Sequence, residues 1–158
     1  MRLLIIAIGD RTPDWISEGF AEYSRRFQRP WELTLKEISA NKRKRHANIT
    51  RIVDAEGERL LAAIPRGWFT VALDQKGIQF DTEALTKQLK HHSELGNNIA
   101  FLIGGPDGLS ANALNRVDAI WSLSTLTLAH AVVRLVAAEQ LYRVFSIIKG
   151  LPYHRGAR

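Results

Sequence analysis

Short, continuously apolar runs bounded by turn residues alternate with helix-like segments along the whole chain. A strand that is apolar at every position fits a sheet covered on both faces, because a strand with one solvated face alternates apolar and polar residues. Repeated strand, helix, strand order implies a mainly parallel sheet with right-handed crossovers. The sequence therefore predicts an α/β fold, a mainly parallel sheet flanked by helices. The predicted strands are residues 3–8, 31–38, 69–73, 99–103 and 119–123.

The first and last helices have clear boundary signals. Thr12 is predicted to cap the first helix, with Pro13 at its first position, where the missing amide has no intrahelical partner to lose. The last helix is the longest and is predicted over residues 131–149, with Gly150 as its C-terminal cap. Its apolar stripe is wide, which is typical of a helix that is deeply buried or packed against another subunit.

Size and composition limit the class of protein. A chain of 158 residues can bury a core without disulfides, so a single domain over residues 1–158 is predicted. The absence of cysteine removes thiolate chemistry and cysteine zinc sites, and it is typical of a reducing compartment, here the cytoplasm. Residues 3–8 are interpreted as a buried strand rather than a signal peptide, and no apolar stretch has the length of a membrane span. The formal net charge of +6 favours a polyanionic partner.

Three turn-rich segments follow predicted strands, at residues 73–77 (LDQKG), 103–108 (IGGPDG) and 122–130 (SLSTLTLAH). In parallel sheets, ligands collect beyond the carboxyl ends of the strands, so these segments are expected to converge there. Gly104 and Gly105 let the backbone approach a ligand closely, although a Pro-Asp-Gly run is also an ordinary turn. The spacing matches neither a dinucleotide fingerprint nor a phosphate-binding loop, which disfavours nicotinamide cofactors and ATP.

The polar residues of these segments each have two interpretations. Asp74 either contacts a ribose or methionine group or caps a turn. Ser124, Thr125 and Thr127 are candidate N-caps of the last helix. The leucines between them break any regular period, so residues 122–130 are also predicted to be irregular backbone packed inside the protein. Such backbone needs hydrogen-bond partners, and the edge of a purine is one of them.

Charged and aromatic residues concentrate on the last predicted helix. Arg134, Tyr142 and Arg143 share it with few other polar groups and are candidate site residues. Glu139 and Arg143 are four residues apart in the favourable order, which indicates either a surface ion pair or part of a site.

The tail LPYHR, residues 151–155, follows this helix. Terminal residues are often disordered, but leucine, proline and tyrosine together favour docking onto the protein. If the tail docks near the glycines, His154 and Arg155 become catalytic or substrate-binding groups.

A basic stretch follows the second predicted strand. It is either a solvated loop or, together with the arginines at the end of the first helix, a patch that contacts phosphates. No spacing of histidine, aspartate and glutamate suggests a metal site. The stretch comprises Lys42, Arg43, Lys44 and Arg45, and the helix arginines are Arg25, Arg26 and Arg29.

The motifs LDQKG, FLIGGPDGLS, WSLSTLTLAH, VVRLVAAEQLYRVFSI and LPYHR occur in this order, together with the MRLLIIAIG and PDW start. In this combination the chain resembles the RlmH family of SPOUT-class RNA methyltransferases over essentially its whole length. The resemblance implies a SPOUT fold with a C-terminal trefoil knot, an obligate homodimer and S-adenosylmethionine bound in the knot. It also implies methylation at N3 of a pseudouridine in 23S rRNA, with the assembled ribosome as substrate.

The resemblance also assigns residues, since each matches a position in the family's motifs. Ala131 stands where some relatives carry a proline, a departure not expected to affect binding. The implied cofactor contacts are Leu73, Gly104, Gly105, Leu123, Ser124, Thr125, Leu126, Thr127 and Leu128, and Gly108 helps to shape the loop. The implied substrate side, partly across the dimer interface, comprises His130, Arg134, Glu139, Tyr142, Arg143, Tyr153, His154 and Arg155.

For catalysis, the hypothesis is that His154, or a water that it orients, removes the N3 proton of the base. Arg143 or Arg155 then stabilises the negative charge that develops. Two other functions compete with this interpretation: a non-catalytic RNA-binding ribosome assembly factor, and a SPOUT methyltransferase that acts on tRNA.

Overall fold

The computed structural model describes residues 1–10 and 12–155, the last two of these by backbone alone. In this part of the chain, five parallel strands form one sheet in the order β2-β1-β4-β3-β5. The predicted α/β fold with a parallel sheet flanked by helices is confirmed. The strands are β1 (Arg2–Ile8), β2 (Glu32–Ile38), β3 (Phe69–Gln79), β4 (Ile99–Ile103) and β5 (Ala119–Ser122).

Helices cover both faces of this sheet. The helices α1, α3 and α5 pack together on one face, and α2 and α4 pack together on the other. The helices are α1 (Asp14–Ser24), α2 (Ile49–Ala62), α3 (Thr82–Glu94), α4 (Ala111–Asn115) and α5 (His130–Ile148), followed by a 3₁₀ turn, Pro152–Arg155.

The central strands explain the apolar runs. In β1, Leu3 and Ile5 belong to the core beneath α1, α3 and α5, whereas Ile6 and Ile8 belong to the core beneath α2. Successive side chains of a strand point to opposite faces, and both faces are covered here. Every position from Leu3 to Ile8 except Leu4 is therefore fully buried.

The boundaries of the first and last helices differ from the prediction at their N-termini. Pro13, not Thr12, is the N-cap of α1, and the Thr12 hydroxyl instead donates to the Glu37 carboxylate at 2.7 Å. The N-cap of α5 is Ala129, which has no side-chain cap, so the predicted polar caps in residues 122–130 are wrong. Gly150 does end the helix, with a φ of 68° that favours glycine.

Strand β3 continues through the segment predicted to be a loop. Leu73 and Ile78 both pair with Trp121 of β5, so residues 74–77 form a bulge inside the strand. Gly77 is required in this bulge, because an added Cβ would lie 2.6 Å from the carbonyl carbon of Trp121. Asp74 accepts a hydrogen bond from the amide of Lys76 at 2.9 Å, which fits the turn-capping interpretation of this residue.

Among the described residues, no helix combines the length and apolar character that crossing a bilayer requires.

Candidate functional site

The three predicted segments meet at the carboxyl edge of β3, β4 and β5, where they enclose a cavity of about 300 Å³. We call it the edge cavity. The bulge of β3 forms one wall, the loop after β4 forms the second, and the segment between β5 and α5 forms the third. Eight of the nine predicted cofactor residues line it: Leu73, Gly104, Gly105, Leu123, Ser124, Leu126, Thr127 and Leu128.

The loop after β4, residues 104–108, is the glycine loop. It is a tight turn in which the amide of Gly108 donates to the carbonyl of Gly105 at 3.0 Å, and Gly108 has a φ of 80°. A Cβ added to Gly104 would lie 2.4 Å from the carbonyl carbon and oxygen of Gly108. Because these neighbours are backbone atoms, the loop cannot keep this shape with any other residue at position 104.

Residues 123–128 form irregular backbone, as predicted, but the expected packing of the whole segment inside the protein is wrong. Thr125, Leu126 and Thr127 are exposed, and Leu126 is 72 % exposed. The segment is held in place by its own polar groups, since the amide of Leu126 donates to the Ser124 hydroxyl at 2.9 Å. The exposed side chain of Leu126 lies at the rim of the edge cavity.

Gln75 is a site residue that the sequence reasoning missed. Its side-chain amide donates to the carbonyl of Thr125 at 2.6 Å, and the same residue lines the edge cavity. Thr125 itself is not among the residues that line the cavity. Its carbonyl accepts the hydrogen bond from Gln75, in the β3 bulge. The only sequence signal for Gln75 is its place after a predicted strand.

His130 is the first residue of α5 and also lines the edge cavity. Burial, together with the neighbouring charges of Arg134 and Arg43, lowers the pKa of His130. Its ordinary value is about 6.5, so the imidazole is neutral at pH 7. A neutral imidazole can accept or donate a hydrogen bond without adding positive charge to the cavity.

Arg134, one turn further along α5, is buried, with 1 % of its surface exposed. Its guanidinium donates to the carbonyls of Ile8 and Gly9 at 2.7 and 2.8 Å. It also donates to the Thr12 hydroxyl and the Glu37 carboxylate. Burial lowers the pKa of Arg134, and Glu37 partly offsets this. Arg134 therefore anchors α5 to the ends of β1 and β2, and the predicted direct contact with substrate is corrected.

The other candidate residues of α5 gather at its far end, in a group that we call the tyrosine cluster. Arg143 pairs with Glu139 at 2.5 Å, and its guanidinium carbon lies 5.1 Å from the ring centre of Tyr153. The Tyr153 hydroxyl donates to Glu139 at 3.0 Å, and its ring packs 4.8 Å from that of Tyr142. Burial, with further contributions from Tyr23 and Glu139, raises the pKa of Tyr153. The cluster comprises Tyr23, Arg26, Glu139, Tyr142, Arg143 and Tyr153.

These contacts bear on the predicted roles of Glu139, Tyr142 and the tail. The Glu139–Arg143 pair is more than a surface ion pair, because it also fixes the tail through Tyr153. Tyr142 is only 8 % exposed, so it packs within the protein, and its predicted contact with substrate stays a prediction. The tail docks on α5 and α1, at least as far as Tyr153, whereas the side chains of His154 and Arg155 lie outside the described residues.

The basic stretch contains two kinds of residue. Lys42, Lys44 and Arg45 are exposed, as a phosphate-contacting surface requires. Arg43 points inward, with 23 % of its side chain exposed, and pairs with Glu56 and Asp107. Its donors are bonded to protein carboxylates, and its predicted contact with substrate stays a prediction.

Among the side chains that the structure describes, in residues 1–10 and 12–153, no three histidine, aspartate or glutamate groups come together in a way that could hold a metal ion.

Comparison with known proteins identifies the family. The family model described as "Predicted SPOUT methyltransferase" matches residues 1–154, which is nearly the whole chain. The chain belongs to the SPOUT methyltransferase family. The resemblance inferred from the motifs is thereby confirmed.

This SPOUT methyltransferase is also similar to individual known proteins. The chain is 45 % identical over 155 residues to "Ribosomal RNA large subunit methyltransferase H" of Thioalkalivibrio sulfidiphilus, covering 98 % of this chain and 99 % of that protein. A probable methylase family protein of Haemophilus influenzae has a similar fold, with a TM-score of 0.53 at 9 % identity over 96 % of this chain and 69 % of that one. The SpoU methyltransferase AviRb of Streptomyces viridochromogenes, solved with AdoMet, matches with a TM-score of 0.45 at 13 % identity, over 89 % and 56 % of the two chains.

In this SPOUT family member, the predicted site residues thus fall into two separate groups. His130 lies at the edge cavity, whereas Arg143 and Tyr153 lie in the tyrosine cluster. His130 and Arg143 are thirteen residues apart on α5, which corresponds to about 20 Å along the helix axis. Within a single chain, Arg143, one of the predicted catalytic residues, therefore lies away from the predicted cofactor site.

Proposed function

We propose that this chain transfers the methyl group of S-adenosylmethionine to N3 of a pseudouridine in 23S rRNA. The substrate is the assembled ribosome, the enzyme is a homodimer, and the reaction takes place in the cytoplasm. The observation that carries the proposal is the edge cavity, in which the cofactor residues implied by the family come together. The printed name of the relative at 45 % identity supports a large-subunit rRNA substrate. The trefoil knot implied by the resemblance stays a prediction.

The residues present fit S-adenosylmethionine. Ligand cavities start at about 300 Å³, which is the volume of the edge cavity. Leu73, Ile103 and Leu123 supply apolar surface for a purine, and the glycine loop lets the backbone come close. The lining carboxylate of Asp74 favours a positively charged ligand group, whereas Asp107 is already paired with Arg43.

When bound, S-adenosylmethionine supplies a methyl group on a positively charged sulfur that an aligned nucleophile can attack. The protein's task is then to hold the base in line behind that methyl group. The neutral state of His130 avoids a second positive charge at the cavity, which would oppose binding of the sulfonium.

The base must also lose a proton before it attacks, because N3 of a pseudouridine is an imide nitrogen. We assign this step to His154 or to a water that it orients. Arg143 or Arg155 stabilises the negative charge left on the base. The cation–π contact of Arg143 with Tyr153 and its pair with Glu139 fix the direction of its guanidinium, which preorganises that stabilisation.

The separation of the two groups of residues supports the proposed homodimer. Because about 20 Å of α5 lies between His130 and Arg143, we propose that the tail of the partner subunit reaches the edge cavity. Among the described residues, five large apolar side chains are exposed on a single chain, and Leu126 is the most exposed, at 72 %; the others are Trp15, Ile49, Ile78 and Leu95. Leu126 lies at the rim of the edge cavity, where a partner subunit would cover it.

The test is transfer of labelled methyl from S-adenosylmethionine to three acceptors: whole ribosomes, free 23S RNA and tRNA. We expect label on ribosomes, and digestion of the RNA should locate it on the N3 position of a pseudouridine. Label on tRNA alone would support the tRNA alternative. Binding to ribosomes with no methyl transfer, and no heat on mixing with S-adenosylmethionine, would support the assembly factor.

A further prediction concerns the exposed part of the basic stretch. The variant Lys42→Ala/Lys44→Ala/Arg45→Ala should bind ribosomes more weakly, because it loses phosphate contacts. The slope of log affinity against log salt should become shallower by roughly 2 to 3, since each phosphate contact contributes about 0.7 to 0.9. Calorimetry should show unchanged affinity for S-adenosylmethionine.

The matched control removes three exposed positive charges elsewhere. Arg66→Ala/Lys87→Ala/Lys90→Ala has the same net charge as the basic-stretch variant, and its substituted side chains are also exposed. It should keep most of the ribosome affinity and the original salt slope. Equal losses in the two variants would mean that net charge, not the basic stretch, governs binding.

A further inference from the structure

Arg43 belongs to the basic stretch by sequence but to the protein interior by its contacts. Its guanidinium donates to both carboxylate oxygens of Glu56, each at 3.1 Å, and its Nε donates to Asp107 at 2.7 Å. Glu56 lies in α2 and is only 1 % exposed. The Glu56 carboxylate also accepts a hydrogen bond from the backbone amide of Asn41 at 2.9 Å. The residue just before the basic stretch is therefore held by the same carboxylate.

Asp107 connects this arrangement to the cofactor site. It lies in the glycine loop and lines the edge cavity. The loop rests directly on the ion pair, because a Cβ added to Gly105 would lie 3.2 Å from Glu56 and 3.3 Å from Arg43. One arginine thus holds the basic stretch on one side and the cavity wall on the other.

The geometry explains why an arginine is needed at this position. A buried carboxylate is strongly destabilising unless it is paired and hydrogen-bonded. The planar guanidinium satisfies Glu56 with two parallel bonds and still has Nε free for Asp107, whereas a lysine has only a compact point charge. The neighbours Lys42 and Lys44 are exposed, so the side chains on either side of Arg43 are directed to solvent.

We propose that Arg43 is a positioning residue that couples the RNA-contacting basic stretch to the glycine loop, so that RNA and S-adenosylmethionine strengthen each other's binding. The inference rests on the proposed function. Ordering of the basic stretch by RNA fixes Arg43, and Arg43 in turn fixes Asp107 and the cavity wall. Coupling between two ligands is reciprocal, so the cofactor also orders the basic stretch.

The experiment measures affinity for large ribosomal subunits with and without saturating S-adenosylhomocysteine, which binds without reacting. For the wild-type protein we expect at least roughly fivefold tighter binding in the presence of the ligand, a typical lower value for coupled sites. In Arg43→Ala and Arg43→Lys, the ratio of the affinities with and without S-adenosylhomocysteine should fall to one. Lys44→Ala is the matched control, in which both affinities fall together and the ratio stays as in the wild type.

A merely structural role of Arg43 would lower stability without removing the coupling. Arg43→Lys keeps the charge beside Glu56, and Asp107→Asn removes only the loop's half of the connection while Arg43 stays on Glu56. Thermal denaturation checks that both variants fold, and both should show a ratio of one.

The proposal is overturned if Asp107→Asn and Arg43→Lys keep the wild-type ratio, or if the wild-type ratio is itself one. Failure of the wild-type protein to bind S-adenosylhomocysteine at all is a separate outcome. It would contradict the proposed function as well, and calorimetry on the wild-type protein alone detects it.

Discussion

Gly104→Ala is expected to weaken S-adenosylmethionine binding by roughly 10- to 100-fold, because pushing packed atoms apart typically costs about 1–3 kcal/mol. The added methyl group would lie 2.4 Å from the backbone carbonyl of Gly108 and 2.9 Å from the amide of Leu109. Neither neighbour is the end of a flexible side chain, so the glycine loop itself has to open. Opening it displaces one wall of the edge cavity. Isothermal titration calorimetry measures the affinity.

The matched control is Gly67→Ala. An added Cβ at Gly67 meets no atom within 4 Å, but its φ of 74° makes alanine unfavourable there. It therefore tests whether mild backbone strain away from the cavity lowers cofactor affinity. We expect wild-type affinity for Gly67→Ala. Wild-type affinity for Gly104→Ala would contradict the assignment of the glycine loop to the cofactor.

Two variants with low activity are expected to restore each other's methyl transfer when they form mixed dimers. Gly104→Ala damages the edge cavity, and His154→Ala/Arg155→Ala removes the groups proposed to act on the base. At a cofactor concentration near the wild-type Kd, Gly104→Ala alone should lose roughly 5- to 50-fold in methyl transfer, because its cofactor occupancy falls by that factor. His154→Ala/Arg155→Ala alone should lose at least about 100-fold, the usual contribution of general acid–base groups. In a mixed dimer, one cavity is intact and receives the intact tail of the other subunit.

Random mixing of equal amounts of the two variants should recover about a quarter of the wild-type activity. Half of the dimers are then mixed, and each mixed dimer has one complete site where a wild-type dimer has two. Co-refolding of differently tagged chains and a labelled-methyl assay measure the recovery. The matched control mixes Gly104→Ala with Gly105→Val, two changes on the same wall of the cavity, and should recover nothing. Failure of the first pair to recover would mean that each site is completed within one chain.

The strand bounds were predictable from the sequence where an apolar run is flanked by turn residues. The bounds of β4, Ile99–Ile103, agree with the prediction at both ends, because every side chain is apolar and turn residues flank the run. Strand β3 was predicted to end at Leu73, because the polar residues that follow are typical of a turn. It continues to Gln79 because Ile78 and Gln79 pair with β5, which lies more than forty residues further along the chain. A local pattern does not contain that pairing.

The polar side chains show the same division between local and distant causes. Thr12 has the right residue type and position for an N-cap, but its hydroxyl donates to Glu37 and accepts from Arg134, which is 122 residues away. Arg43 cannot be distinguished by sequence from its basic neighbours, since its partner Asp107 is 64 residues away. In both cases the local pattern does not contain the distant partner that holds the side chain.

The candidate cofactor site was predictable because it depends on topology. Parallel strands bring their carboxyl ends to one edge, so the convergence of residues 73–77 with the segments that follow β4 and β5 could be predicted without any knowledge of side-chain contacts. The tyrosine cluster was not placed by this rule. Its position depends on how the tail packs on α5 and α1, and that packing is decided by contacts between Tyr153, Tyr23 and Glu139.

The most direct measurement is amide hydrogen exchange of the wild-type protein with and without S-adenosylmethionine, followed by mass spectrometry of peptides. A ligand slows exchange where it orders or covers the backbone. We predict slower exchange in the peptides that contain residues 104–108 and 123–128, and little change in α3. Unchanged exchange in both of these segments, or protection confined to another part of the chain, would contradict the account.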